Sequence, residues 1–271
     1  MLKVPGTFRA ASFNANSIRN RLPIILNWMA VNECDVLCVQ ETKVQDHEFP
    51  IAEINEAGFN VIFKGQKTFN GVAIISPHEI KQITDQFVDS QYDDEARLLV
   101  AEIQNITIIN SYVPQGTDLK SPKFAYKLDW YGMIRKYLES IDMNQNCLWM
   151  GDLNVAREPI DVYDPDALYG CVCYNPKEHE AINNILEWGL EDTFRKHHAT
   201  EKHCFTFWDY RVPNAYKRKI GWRLDYIFAS KLMYEKCIDA WIDVEPRLLE
   251  KPSDHTFIIA DFELNSLEES K

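Results

Sequence analysis

Short apolar runs that stop abruptly at polar residues recur along the chain. The clearest is Cys147-Leu148-Trp149-Met150, which ends at Gly151 and is followed by Asp152 and Asn154. An apolar run bounded by a turn former predicts a buried strand. On extended backbone the side chains of residues i and i+2 project from one face, so Asp152 and Asn154 put an acceptor and a donor side by side at the strand's mouth. Gly, Asp and Asn are also ordinary turn formers, and alone the stretch could equally be a strand-to-turn junction.

The same design recurs. Residues 7–13 read as a strand ending in Asn14-Ala15-Asn16, with Ser17 as a helix N-cap. Leu22, Ile25, Leu26 and Met29 then recur at helical spacing and predict a helix over 20–32. Residues 35–39 form a second apolar strand, closed by Gln40-Glu41-Thr42-Lys43. A helix over 49–57 fits the stop at Gly58, followed by a strand over 59–63. Asn70-Gly71 turns into a strand over 72–75. Residues 97–102 and 106–112 suggest a hairpin about Gln104-Asn105, ending in Ser111-Tyr112-Val113-Pro114-Gln115. Phe124, Leu128, Tyr131, Ile134 and Leu138 predict a long helix over 121–141.

Beyond Asn154 the stretch 157–176 is rich in turn formers, and loops of that length in compact domains are usually functional or disordered. Residues 178–188 predict a helix capped by Gly189. Short strands are expected at 192–194 and 206–208, around a linker rich in His, and longer ones at 222–228, 238–244 and 256–262. Ser253-Asp254-His255 precedes the last of these. Strands alternating with helices, and late strands of antiparallel character, predict an α/β fold: a four-layered sandwich of two packed mixed β-sheets flanked by helices. No linker or repeat divides the chain, so residues 1–264 are expected to form a single domain, with 265–271 a frayed polar tail.

Composition agrees with a folded enzyme-sized unit. The 271 residues are 46% apolar and 12% aromatic, enough for a sizeable core. No apolar run approaches the ~20 residues that span a bilayer, and the N-terminus lacks the apolar stretch of a signal peptide. A soluble, intracellular protein without a membrane partner is therefore expected, in the cytoplasm and with the nucleoid if the source is prokaryotic. The seven Cys are odd in number, and Cys171-Val172-Cys173 is too cramped for usual zinc spacing, which points to free thiols.

The net charge of −12 argues against a nucleic-acid partner at first sight. Its distribution changes the picture. Arg211, Lys217, Arg218, Lys219 and Arg223 form a run without an acid among them. The acids gather elsewhere, at Asp93-Asp94-Glu95, between Asp161 and Asp166, and at Glu268-Glu269. One basic stripe on an acidic protein can still hold DNA.

The polar groups that end strands form an inventory: Asn14 and Asn16, Glu41, Tyr112, Asp152 and Asn154, Asp225, and Asp254 with His255. Singly each has a plain structural role. Together, several carboxylates at one sheet edge repel each other and call for a divalent cation or a proton. All-oxygen ligands favour Mg²⁺ or Mn²⁺, and a neighbouring His can stabilise a phosphate oxygen or move a proton. That inventory suits metal-assisted phosphodiester hydrolysis.

On these motifs the chain resembles the exonuclease III family of DNA-repair nucleases, within the endonuclease/exonuclease/phosphatase fold. The matching pieces are Ser12-Phe13-Asn14-Ala15-Asn16, the stretch from Leu37 to Lys43, Asn70-Gly71-Val72-Ala73 and Asn110-Ser111-Tyr112-Val113-Pro114. Gly151-Asp152-Leu153-Asn154, Gly221-Trp222-Arg223-Leu224-Asp225-Tyr226 and Ser253-Asp254-His255 complete them, in the family's order. The resemblance implies a Mg²⁺- or Mn²⁺-dependent enzyme of base excision repair. It would cleave 5′ of abasic sites in duplex DNA, trim 3′ ends, or both, as a monomer.

By the same resemblance Glu41 and Asp254 are metal ligands, with Asn14 positioning metal and phosphate. Asp152 orients and deprotonates the attacking water, Asn154 holds the phosphate oxygen or that water, and His255 is oriented by Asp225. Tyr112 reaches the phosphate or helps the leaving oxygen. Phe207 and Trp222 wall the pocket for a base-free sugar, while Arg211, Lys217, Arg218 and Lys219 carry backbone phosphates. Gln115 replaces the Asn of several relatives, and residues 162–175 match only loosely; both sit where substrate preference is expected to be set. Two other readings compete: a lipid or inositol-phosphate phosphodiesterase of the same fold, which would not need the basic run, and an inactive nucleic-acid binder, which would lack one of these residues.

Overall fold

The computed structural model describes residues 3–87 and 95–264, so Asp93-Asp94, Glu268-Glu269 and the tail expected at 265–271 lie outside the described residues. The first half runs β1 (Thr7–Asn14), α1 (Ile18–Asn32), β2 (Val36–Gln40), α2 (Ile51–Glu56), β3 (Asn60–Lys64), β4 (Val72–Ser76), β5 (Lys81–Thr84), β6 (Leu98–Ile103) and β7 (Ile106–Tyr112). Next come α3 (Pro122–Glu139), β8 (Cys147–Asp152), α4 (Pro165–Leu168), α5 (Pro176–Leu186), β9 (Leu190–Asp192) and α6 (Thr193–His197). The chain closes with β10 (Asp225–Ser230), α7 (Lys231–Lys236), β11 (Cys237–Asp243) and β12 (Phe257–Glu263).

Two six-stranded sheets result, in the orders β11-β12-β1-β2-β4-β3 and β5-β6-β7-β8-β10-β9. Both are mixed: β1–β2 and β7–β8 are parallel and their other neighbours antiparallel. Strand alternation sorts the side chains into layers. Phe8, Ala10, Val36 and Cys38 of one sheet face Leu148, Met150 and Ile227 of the other, forming the core between the sheets. The opposite positions, Phe13 and Val39, pack on Trp28 and Met29 of α1. On the second sheet Trp149 and Phe228 pack under Tyr131 and Ile134 of α3. Each buried aromatic or aliphatic side chain contributes on the order of 1.5–3 kcal/mol, so every sheet face is energetically committed to its layer. The expected four-layered sandwich is the observed one.

Several local expectations are corrected. Residues 192–194 were expected as a strand, but the Asp192 carboxylate accepts the N–H groups of Phe194 and Arg195 and starts a helix. Residues 206–208 form no strand; Phe207 makes only isolated bridges, to Trp222 and to His255. Ser17 precedes α1 without capping it, since its side chain accepts no hydrogen bond there. The hairpin turn is as read, with Gln104 and Asn105 at φ 49° and 60°, the paired left-handed residues of a tight two-residue loop. Gly151 is required by geometry: its φ is 145°, and a Cβ there would lie 1.9 Å from the Ser111 carbonyl oxygen of the parallel neighbour. The strand runs on through this close approach to Asp152, one residue beyond the stop read at Gly151.

Candidate active site

Register carries the functional residues to one place. In the second sheet Tyr112 pairs with Asp152, and Asp152 pairs with Asp225, so three strand ends stand in one row. In the first sheet Asn14 pairs with Gln40, which puts Glu41 next to it, while Asp254 and His255 lead into the antiparallel neighbour β12. The two rows face each other across the sandwich.

Asn14 bridges them. Its Nδ2 donates to Glu41 Oε1 at 2.8 Å and to Asp152 Oδ2 at 2.9 Å. Tyr112 Oη also donates to Glu41 Oε1, at 2.9 Å. Burial and the neighbouring Glu41 hold this phenol well above its ordinary pKa, so it stays a donor. A carboxylate has no proton to give, so His255 Nδ1 donates to Asp225 Oδ2, at 2.8 Å. The ring's Nε2 lies 3.7 Å from Asp152 Oδ2. Burial alone would lower the imidazole's pKa, but the Asp225 and Asp152 carboxylates outweigh it and push it up to about 10. Burial raises the Asp152 pKa, and the adjacent His255 pulls it back. Asn154, at φ 51°, gives its N–H to Asp152 Oδ1 at 3.0 Å and its Nδ2 to the Val113 carbonyl at 2.9 Å, and the residue lines the cavity beside them.

A polar layer beneath the site braces both sheets. Gln40 Nε2 donates to Asn110 Oδ1 at 2.8 Å, and Asn110 Nδ2 donates to the carbonyls of Ala73 and Val39. All of this layer is buried, where unpaired amides would be costly, so it locks the two sheets in one alignment.

The site opens into a cavity of about 540 Å³, whose walls include Phe207, Trp222, Tyr163 and Leu224. The Phe207 ring lies 4.9 Å from the His255 ring, and Trp222 is joined to Phe207 and to Val162 by backbone bridges. Gln115 and Arg211 also line the cavity. The Gln115 carboxamide is engaged at both ends, with Cys173 Sγ and with the N–H of Thr117. Lys217, Arg218 and Lys219 are exposed in the loop that follows Arg211, but Arg223 is not part of that stripe. It is fully buried against Asp161 and Asp192, so the basic run ends at Lys219.

The residues fit a hard divalent cation. The Lys43 ammonium sits 2.5 Å from both Glu41 Oε2 and Asn16 Oδ1, and Asn16 Nδ2 donates to Asp254 Oδ1 at 3.0 Å. A positive charge is thus already seated among carboxylate and carboxamide oxygens, and it holds the Glu41 pKa below its ordinary value despite burial. Asp152, Asp225 and His255 also bring ligand atoms within 4.8 Å of one another. Asn16 stood among the strand-ending polar groups read from sequence, but Lys43 was given no role there; its place two residues from Glu41 was the available signal.

A two-sheet sandwich with one carboxylate-rich, cation-seeking site at the matched ends of both sheets defines the class of this molecule. The chain belongs to the Endonuclease/Exonuclease/phosphatase family, which it matches over residues 11–255. It is 33% identical over 263 residues to the exodeoxyribonuclease III of Haemophilus influenzae, covering 93% of this chain and 98% of that one. Among solved structures, an AP endonuclease from Archaeoglobus fulgidus is 44% identical with a TM-score of 0.92, covering 95% of this chain and 100% of that one. The 3′ phosphatase NExo from Neisseria, solved with product DNA hairpin, is 32% identical with the same TM-score and coverage. Among the described residues no helix is long and apolar enough to cross a membrane.

Proposed function

We propose that the chain is a divalent-metal-dependent DNA-repair phosphodiesterase that cleaves 5′ of abasic sites in duplex DNA, trims 3′ ends, or does both. The observation that carries this reading is the Asn14 bridge between Glu41 and Asp152, with the Asp225–His255 pair alongside. One site then holds a cation-binding carboxylate, a buried proton acceptor and a protonated imidazole together. The relatives' named activities on abasic sites and on 3′ ends support the substrate. Residues 1–264 act as one unit, as a monomer.

Glu41 and Asp254, with Asn14 beside them, would hold a Mg²⁺ ion, which when bound supplies charge neutralisation at the phosphate. Asp152, whose affinity for a proton is raised by burial, accepts one from water as that water attacks phosphorus. His255, kept cationic by Asp225, donates to the non-bridging oxygens as their charge grows. Asn154 Oδ1 orients the water. Tyr112 Oη stands beside Glu41 to meet the leaving oxygen. Phe207 and Trp222 wall the space for a sugar without a base, and Arg211, Lys217, Arg218 and Lys219 carry backbone phosphates.

A Mg²⁺-dependent assay on three duplexes tests the reading: an internal abasic site, a recessed 3′ end and a 3′ phosphate. Cleavage of at least one, abolished by chelator and restored by Mg²⁺, is expected. Silence on all three alongside hydrolysis of an inositol phosphate would overturn it.

A further inference from the structure

Behind the cavity wall, away from the carboxylates, lies a charge that the chemistry above does not use. Lys127 of α3 and Glu178 of α5 are both 0% exposed and form an ion pair. Lys127 Nζ also donates to the Asn154 carbonyl at 2.6 Å and to the Gln115 carbonyl at 3.2 Å, and it faces Cys173 Sγ at 3.8 Å. Glu178 Oε1 accepts the Cys173 N–H at 3.0 Å. Gln115, Asn154 and Cys173 come from three separate loops, and all three line the cavity. One ammonium therefore ties together three of the segments that shape the site.

These segments need tying. Asn154, Thr117 and Cys173 have φ of 51°, 59° and 70°, left-handed values that residues with a Cβ seldom take. Such conformations persist where the surroundings over-determine them, and they gather at functional sites. A gap of this kind could be filled by an apolar side chain without taking two charges out of water. Lys127 instead supplies donors in several directions, to carbonyls on two loops that meet at the cavity. Asn154 is the pivotal contact. The residue whose carbonyl Lys127 holds also gives its N–H to Asp152 Oδ1 at 3.0 Å.

We propose that Lys127, anchored by Glu178, is a positioning residue of the reaction: it fixes the backbone of Asn154 and Gln115 and so aims Asn154 and Asp152 at the phosphate. This rests on the phosphodiesterase reading above. Misplacement of reacting groups by about 1 Å costs on the order of 10²-fold in rate, so the loss should fall on turnover and spare DNA binding.

The test is the charge-neutral double variant Lys127→Met/Glu178→Gln, compared with wild type for Tm, kcat, KM and single-turnover rate on the abasic duplex. The Glu178→Gln change keeps an acceptor for the Cys173 N–H, so the neutral pair should fold. The expected result is a Tm close to wild type, a KM within about threefold, and kcat and single-turnover rate lowered at least about tenfold. If Tm stays near wild type and the single-turnover rate falls by less, the pair only balances charge and the proposal fails. A rise in KM with kcat preserved also overturns it. Should the double variant not fold, Lys127→Gln/Glu178→Gln offers an amide too short to reach both carbonyls, and the same loss of turnover is expected. If that also fails to fold, the role is structural and the proposal is wrong. Wild-type turnover on the same duplex separates these outcomes from failure of the phosphodiesterase reading, which would leave the wild type inactive.

Discussion

Arg223 is fully buried between Asp161 and Asp192, and Arg195 closes on Asp161 from the other side. Two residues further along the chain, Asp225 gathers with His255, Asp152 and Glu41, and Asp254 joins them at the cavity. The two clusters use the same chemistry of buried carboxylate and cation, but they close differently. In the first, every carboxylate meets a guanidinium, although Arg223 Nη1 and Arg195 Nε are buried without a hydrogen-bond partner among the described residues, and the Asp161 pKa is held low by Arg223 and Arg195 against its burial. In the second, four carboxylates share one imidazolium and one ammonium. Asp152 is left with a raised proton affinity, and Asp225 Oδ1 is buried without a hydrogen-bond partner among the described residues. A buried cluster in which every carboxylate meets a guanidinium is holding the fold. One in which the carboxylates outnumber the cations is prepared for something to bind or to move.

The contrast is broken most directly at Asp152. Asp152→Asn keeps the shape and one of the two accepted hydrogen bonds, from Asn14 or from the Asn154 N–H, but removes the proton acceptor. Turnover should fall by roughly 10²–10⁴-fold, the range for a positioned acid or base. Tm and DNA affinity, by thermal unfolding and by fluorescence anisotropy, should change little. A loss of stability instead of rate would put Asp152 in the same category as Asp161.

Arg223→Met is the reciprocal experiment. Removing one partner leaves buried carboxylates uncompensated, which costs about 3–5 kcal/mol in comparable pairs. Urea denaturation should show that loss, while the protein that remains folded keeps most of its turnover per molecule. A stable, slow Arg223→Met enzyme would contradict the division.

Glu41→Gln sharpens the comparison at its metal side. The amide retains the contacts to Asn14 and Tyr112 yet gives up the charge that Lys43 now meets. Half-saturating Mg²⁺ should rise by roughly 10–100-fold, the scale for disturbing a metal's surroundings. Mn²⁺ should recover part of the rate, because Mg²⁺ is the more demanding in geometry and hydration. An unchanged Mg²⁺ titration would remove Glu41 from the site.

What sequence could read follows the same line. Asn14, Glu41, Tyr112, Asp152, Asp225 and His255 were legible because each sits where an apolar run stops or starts, and sheet edges collect such residues. The sandwich was legible from alternation. Arg223 was misassigned to a basic surface because burial is decided by partners 62 residues away in sequence, at Asp161. Lys127 and Glu178 carry no local sign of burial for the same reason. The strand expected at 192–194 failed because a single Asp192 side chain recruits the next N–H groups into a helix. The strand expected at 206–208 failed for want of neighbours: Phe207 finds a bridge on each side but no ladder. Local pattern records burial and period; it does not record which distant charge arrives.

The smallest effect, and the one that bears on substrate choice, belongs to the cavity wall. Trp222 is placed by both clusters at once. Its backbone bridges to Val162, beside Asp161, and to Phe207, whose ring lies against His255. The chemistry at phosphorus is common to an abasic site and a 3′ end, so discrimination must come from what surrounds the sugar. An aromatic wall accepts an extruded base-free sugar and rejects a nucleotide by shape, and extrusion costs least where no pairing is lost. Trp222→Ala should therefore remove about 1–3 kcal/mol of stacking or packing. It should weaken cleavage at an internal abasic site more than removal of a 3′ phosphate, because a terminus is already free. The ratio of the two kcat/KM values, measured in one buffer, reads this without reference to absolute activity. If Phe207→Ala and Trp222→Ala lower both activities by one common factor, the aromatic wall only supports the fold. Preference would then have to reside in residues 162–175 or in the exposed cations from Lys217 to Lys219.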